Sequence, residues 1–199
     1  MWYPVATRRE GPSTKGGYGG QISGFKDGIV FHSMEGELVA ALAELDRPDR
    51  QACWTFSNPK NGPLLQHYPI EYHTWASGSP EANIRFVSIE HEGIAGKPLT
   101  QTQIDNDVEL LPWLKDYCGW PGLERRAQLW EHREMVQFGA APTACPSDRI
   151  PWNLILSLLG EDMPTQAEFD ALKVQVQMIQ DAQNAFARDV VAADASLQS

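Results

Sequence analysis

Short apolar runs that stop on a polar residue constrain this chain most. Gly28-Ile29-Val30-Phe31-His32 is unbroken and apolar until its last residue. A run of that length without alternation reads as a buried strand with His32 at its C-terminal end. Arg85 to Glu92 (RFVSIEHE) reads as a further strand. Cys53-Trp54-Thr55-Phe56 and Leu64-Leu65-Gln66-His67-Tyr68 flank the turn Asn58-Pro59-Lys60-Asn61-Gly62, which is a hairpin signal. Helical segments lie between the strands. In GELVAALAEL, Leu38, Leu42 and Leu45 recur at helical spacing, and Pro48 closes that helix. Further helices are expected at about 100–117 and 149–159, separated by an irregular stretch containing Glu131-His132-Arg133-Glu134. Residues 7–28 are rich in Gly, Ser, Thr and Lys and read as an irregular surface arm. Strands flanked by helices in one core predict an α/β fold with a mixed central β-sheet.

The last residues follow another rule. No Gly or Pro occurs after Pro164. Phe169, Leu172, Val176, Ile179, Gln183, Phe186 and Val190 are spaced by alternating threes and fours, a heptad seam with one polar interruption. We therefore divide the chain into a globular domain, residues 1–160, and an added C-terminal helix, residues 161–199. The seam suits either self-association into a homo-oligomer or packing against the domain, and the spacing leaves both open.

Charge and length remove several function classes. The chain has 16 Lys plus Arg against 26 Asp plus Glu, a net charge of −10, which argues against nucleic acid held on a broad basic footprint. It argues equally against a polybasic membrane anchor. No stretch reaches the roughly 20 apolar residues of a transmembrane helix, and the start lacks the apolar segment of a Sec signal peptide. Three cysteines, Cys53, Cys118 and Cys145, are too few and odd in number for a disulfide scaffold. Free thiols or a metal ligand suit them better.

Two of the five histidines stand in a context that suggests chemistry. His32 ends an apolar strand, where a sheet edge can hold a ring rigidly. His132 precedes Cys145 by thirteen residues. Two imidazoles and a thiolate make a legitimate catalytic zinc set, since zinc takes N and S ligands and a hydrolytic site keeps one position for water. Spacing alone does not show that the three converge.

Five ordered motifs go further. They are Ile29-Val30-Phe31-His32-Ser33, Leu65-Gln66-His67-Tyr68-Pro69, Thr74-Trp75-Ala76-Ser77-Gly78, Asn83 through Ser88-Ile89-Glu90-His91-Glu92-Gly93, and His132 with Pro142-Thr143-Ala144-Cys145-Pro146. In these, the chain from about Pro4 to Leu159 resembles the type 2 N-acetylmuramoyl-L-alanine amidases, which share their fold with the peptidoglycan recognition proteins. The resemblance implies bacterial peptidoglycan as substrate and cleavage of the amide between N-acetylmuramic acid and L-alanine of the stem peptide. It implies Zn2+ held by His32, His132 and Cys145, with Glu90 as the catalytic carboxylate and Thr143 as a donor to the oxyanion. Glu92 shares the strand face with Glu90 by period two and is its local competitor. The added tail and the absent signal resemble a phage endolysin, made in the host cytoplasm and released to the cell wall.

The chain also departs from the family. Trp54 stands where a His or Tyr is usual. Trp75-Ala76-Ser77-Gly78 replaces Trp-His-Ala-Gly, and His73 stands two residues before Trp75. Trp54, Trp75, Asn83 and His73 are the substrate-binding candidates. His73 either supplies the displaced imidazole or lies exposed, and Trp75 is either a wall for the substrate or a core residue. Two rival functions remain: a module that binds peptidoglycan without cutting it, and a thiol amidase with Cys145 as nucleophile and His132 as base.

Overall fold

The computed structural model describes residues 1–17 and 25–160. Six strands form one sheet in the order β1-β4-β3-β5-β2-β6. Its centre is β2 (Gly28–Ser33), hydrogen-bonded in parallel to β5 (Phe86–His91) and β6 (Leu129–Glu131). Every residue of β2 is buried, which is why its sequence reads as an unbroken apolar run. Gly28 opens β2 because the backbone of Gln128 passes so close that a Cβ would lie 2.3 Å from its carbonyl oxygen. Beyond β5, β3 (Phe56–Asn58) is parallel and pairs in turn with antiparallel β4 (Leu65–Gln66), the expected hairpin. The hairpin strands are shorter than the sequence suggested. The arm expected to be irregular also contributes β1 (Thr7–Arg8), which pairs with the β4 edge.

Side-chain parity divides the strands between two layers. Ile29, Phe31, Val87 and Ile89 face a core closed by α3 (Gln101–Cys118) and α4 (Trp152–Leu158). In α3, Leu110, Leu111 and Leu114 are fully buried, each contributing roughly 1.5–3 kcal/mol by leaving water. A capping box joins Thr100 and Gln103 at the start of α3, and Gly119 ends it in a left-handed conformation. Val30 and Phe86 face the other way, against α2 (Pro80–Arg85) and a 3-10 helix, His132–Phe138. On that side, Leu45 of α1 (Leu38–Asp46) packs with Cys53, Trp54, Tyr68 and Tyr72. His32 and Glu90 follow the parity of Val30, and His91 follows that of Ile89.

Two elements depart from the sequence reading. The stretch around Glu131–Glu134 is β6 continued by the 3-10 helix. The six-residue α2 went unforeseen, although Ser79 caps it and Pro80 opens it. Both owe their form to packing on β2 and β5, which a local pattern does not contain. All three cysteines are free thiols. Among the described residues, no helix is long and apolar enough to cross a membrane. Met1–Leu159 form one compact unit, and the heptad helix expected over 161–199 lies outside the described residues.

Candidate metal centre and active site

The site is built on the C-terminal ends of β2 and β5. His32 and Glu90 are partners across the two parallel strands. Their side chains emerge on the same face, with His32 Nδ1 3.8 Å from Glu90 Oε1. His132 starts the 3-10 helix where the chain leaves β6, and a hydrogen bond with the Ser77 backbone orients it. Its ring centroid is 4.5 Å from that of His32, the planes inclined by 48°. Cys145 is brought in by a turn. Its own N–H donates to Thr143 Oγ1 at 3.2 Å, and Arg133 N–H donates to its carbonyl at 2.8 Å. Ser33 N–H donates to Cys145 Sγ at 3.2 Å. One ligand atom each from His32, His132 and Cys145 then lies within 4.8 Å of the others.

Burial tunes all four groups. It holds His32 well below the usual histidine range, helped by the neighbouring rings of His132 and His91. It lowers His132 too, against the Ser77 hydrogen bond. Both imidazoles are therefore neutral near pH 7, the form that binds metals. Burial, then Glu90, pushes the Cys145 thiol up to about 12. Burial, then Glu35, pushes Glu90 up to about 8, with Arg149 acting in the opposite sense. Such a pocket favours neutral acids until a cation joins them.

Zinc fits these residues on their own evidence. The donors are two N and one S, a usual catalytic set. His32 Nε2 and Glu90 Oε2 are buried without a hydrogen-bond partner, and polar atoms left unmatched in a folded core call for an unseen partner.

The other candidates separate clearly. Glu92 is buried and its carboxylate accepts the N–H groups of Leu38 and Lys60, at 3.1 and 2.8 Å, so it anchors the start of α1. Glu90, whose side chain is 16% exposed, is left for chemistry. Trp54 is buried, yet it lines a cavity of about 250 Å³ together with Met34, Glu35, Ala41 and Glu90. Trp75 is half-buried and packs on the Trp54 cluster. The His73 ring stands edge-on to Trp75, 5.6 Å between centroids, and does not belong to the His32, His132, Cys145 group. Asn83 is buried, and its Oδ1 accepts the N–H groups of Ala76 and Ser77 at 3.2 and 2.8 Å. It holds the loop that orients His132. Thr143 is half-buried with its hydroxyl oxygen on Cys145 N–H. The thiol reading of Cys145 loses support, because a nucleophilic cysteine needs a lowered pKa and this one is raised.

Sequence reasoning missed a buried pair and a buried cation beside the site. His91 Nε2 lies 3.0 Å from both oxygens of Asp107, and both side chains are 0% exposed. Its Nδ1 donates to the His32 carbonyl at 3.0 Å. The cation is Arg149, 4% exposed. Neither carries a local signal, since the partners are distant in the chain. Ser57 Oγ lies 2.8 Å from His67 Nε2, a spacing that would suit a Ser–His nucleophile. It is structural: His67 Nδ1 donates to the Arg9 carbonyl, Trp54 Nε1 donates to Ser57 Oγ, and both members are buried.

No curated protein sequence matches the chain. The solved structures do show similar folds. One is the endolysin N-acetylmuramoyl-L-alanine amidase LysCS from Clostridium intestinale, at 17% identity and TM-score 0.59 over 79% of this chain and 97% of that one. Another is AmpD, at 15% identity and TM-score 0.64 over 79% and 96%. A third is the Staphylococcus aureus hydrolase AmiA, solved with its ligand, at 15% identity and TM-score 0.57 over 72% and 73%. The family described as N-acetylmuramoyl-L-alanine amidase matches residues 23–148, which include His32, Glu90, His132 and Cys145. With more than half of its length matched, the chain belongs to the N-acetylmuramoyl-L-alanine amidases, enzymes that cut peptidoglycan at an amide bond.

Proposed function

We propose that this amidase is zinc-dependent, with His32, His132 and Cys145 as the metal ligands, and that it serves as a phage endolysin. The observation that carries the zinc reading is the meeting of those three donors within 4.8 Å beside Glu90. The chemistry a bound zinc supplies there is Lewis acidity, which makes water a nucleophile at neutral pH. Glu90 takes the proton of that water and returns it to the leaving amine of L-alanine. Its Oε2, buried and unmatched, is the atom suited to the task. The Thr143 hydroxyl accepts from Cys145 N–H, so its own hydrogen is free to donate to the substrate carbonyl oxygen as charge builds there. Trp54 and the cavity beside Glu90 take the substrate, and Trp75, packed on the Trp54 cluster with His73 edge-on to it, is assigned a supporting part in binding. Asn83 acts one step back, through the Ala76–Ser77 loop.

The endolysin reading draws on the likeness to the Clostridium intestinale endolysin and on the acidic heptad tail. In that role the chain is made in the host cytoplasm and reaches the wall on release, and the tail seam pairs copies of the chain. Sedimentation of the full chain against a chain ending at Gly160 tests the pairing.

Mass spectrometry of digested peptidoglycan tests the zinc reading. The expected products are intact stem peptides with a free L-alanine amine, formed with zinc and lost with a chelator. Cleavage that survives complete zinc removal would overturn the reading.

A further inference from the structure

Arg149 lies four residues after Cys145 and is almost wholly buried, yet no carboxylate accepts from it directly among the described residues. Its acceptors are all neutral. Nε donates to the Lys97 carbonyl at 2.8 Å. Nη1 donates to Ser33 Oγ at 2.8 Å and to the His91 carbonyl at 3.2 Å. Nη2 donates to the Glu92 carbonyl at 2.8 Å.

These acceptors are neighbours of the working residues. Ser33 follows His32, and its N–H donates to Cys145 Sγ. His91 and Glu92 follow Glu90, and the His91 ring holds the His32 carbonyl. One guanidinium therefore ties together the end of β2, the end of β5 and the segment that carries Cys145. The seat is shaped for it. Gly93 has φ of 130°, and a Cβ there would lie 2.2 Å from Nη2. A planar fork reaches acceptors on three segments at once, which a lysine ammonium, a single point, does not.

The geometry points to Arg149 as a positioning residue of the metal centre, one that sets the spacing of His32, Cys145 and Glu90 through Ser33 and the main chain of His91 and Glu92. The inference rests on the zinc reading proposed above. It differs from a merely structural tie in one respect. A structural tie stabilises the zinc-free and zinc-loaded chain alike, whereas a positioning residue changes how well the donors hold the metal.

The test uses the full chain as wild type, Arg149→Gln, Arg149→Lys and Ser33→Ala. Zinc affinity is measured by competition with a chromogenic chelator. Cobalt(II) absorption reports the donor geometry, and melting is followed without metal. Arg149→Gln is expected to weaken zinc roughly 10–100-fold, the usual effect of losing a partner behind the ligands, and to shift the cobalt spectrum. Arg149→Lys should recover only part of the affinity. Ser33→Ala keeps the N–H to Cys145 and loses one acceptor, so it should weaken zinc about threefold or more. Wild-type zinc affinity and cobalt spectrum in Arg149→Gln, with a lowered melting point alone, would overturn the inference. Should Arg149→Gln fail to fold, unchanged affinity in both Arg149→Lys and Ser33→Ala would overturn it equally. A wild-type chain that binds no zinc would sink the zinc reading itself, a result distinct from variants that bind as the wild type does.

Discussion

Glu90 and His91 are consecutive on β5, both titratable and both set deep in the fold, yet the two sides of the sheet treat them differently. Glu90 meets His32, and each keeps a buried polar atom without a partner. His91 meets Asp107, and there every donor has its acceptor. Asp107 Oδ1 also accepts from Asn58 Nδ2 at 2.9 Å, and Gln103 Nε2 donates to the Asn58 and Glu92 carbonyls at 3.0 Å. Nδ1 of His91 donates to the His32 carbonyl, and Nε2 lies against both oxygens of Asp107. The lesson is that a matched polar cluster holds a fold together, while unmatched atoms point to a ligand where, as at His32 and Glu90, they stand beside a converging set of donors.

The sharpest way to break this contrast is on the unmatched side. Replacing His32 and His132 together by Ala should abolish zinc binding and amidase activity, as read by metal analysis and muropeptide release. Full zinc occupancy in the double variant would mean the unmatched atoms serve something else. Next in size, Glu90→Gln should keep zinc and fold but lose roughly 10²–10⁴-fold in turnover, the usual worth of a positioned proton carrier. Glu92→Gln should lose far less, because Glu92 only anchors α1 and Lys60. Reversed effects would show that Glu92 carries the chemistry.

On the matched side the response should be in stability. Asp107→Ala strands His91 in the core and should cost about 3–5 kcal/mol in urea unfolding of the zinc-free chain. Asp107→Asn keeps a hydrogen-bonding partner and should cost clearly less. Equal losses would show that an amide cannot stand in for the carboxylate at all, and an Asp107→Asn chain as stable as the wild type would show that the pair acts only by filling space.

The smallest effect concerns His67, another matched group. Burial holds it down to about 4, against the hydrogen bond to the Arg9 backbone. It is neutral in the fold, while the unfolded chain takes up its proton near pH 6.5. Its contribution is therefore complete above about pH 6.5 and is lost as pH falls toward 4. Between pH 7 and 5 the loss should be about 2 kcal/mol. Unfolding of wild type and His67→Gln at both pH values checks it, and an identical pH dependence in the two would refute it.

How much was legible before the structure differs residue by residue. His32 stood out because it ends an apolar run, and the choice of Glu90 over Glu92 rested on resemblance. The reason behind that choice appeared only when α1 and the Lys60 loop were seen to occupy Glu92. Asn83 was expected at the substrate, and its carboxamide proved to be engaged by the Ala76–Ser77 backbone. Arg149 carried no signal, because its acceptors belong to segments that the sequence lists far apart. The heptad tail remains a reading of spacing alone.

Sequence by itself determined the periodicities. Apolar runs of strand length made β2 and β5, and a period of two sent His32 and Glu90 to one side and His91 to the other. Those are local consequences of backbone geometry, and neighbours in the chain suffice to set them. Tertiary structure alone decided which of these side chains meet. Ser33 and Cys145 touch across 112 residues, and no local pattern encodes that distance. The contact follows from where β6, the 3-10 helix and the Cys145 turn must run to cover the sheet, and burial there shifts His32, Glu90 and Cys145 toward their neutral forms.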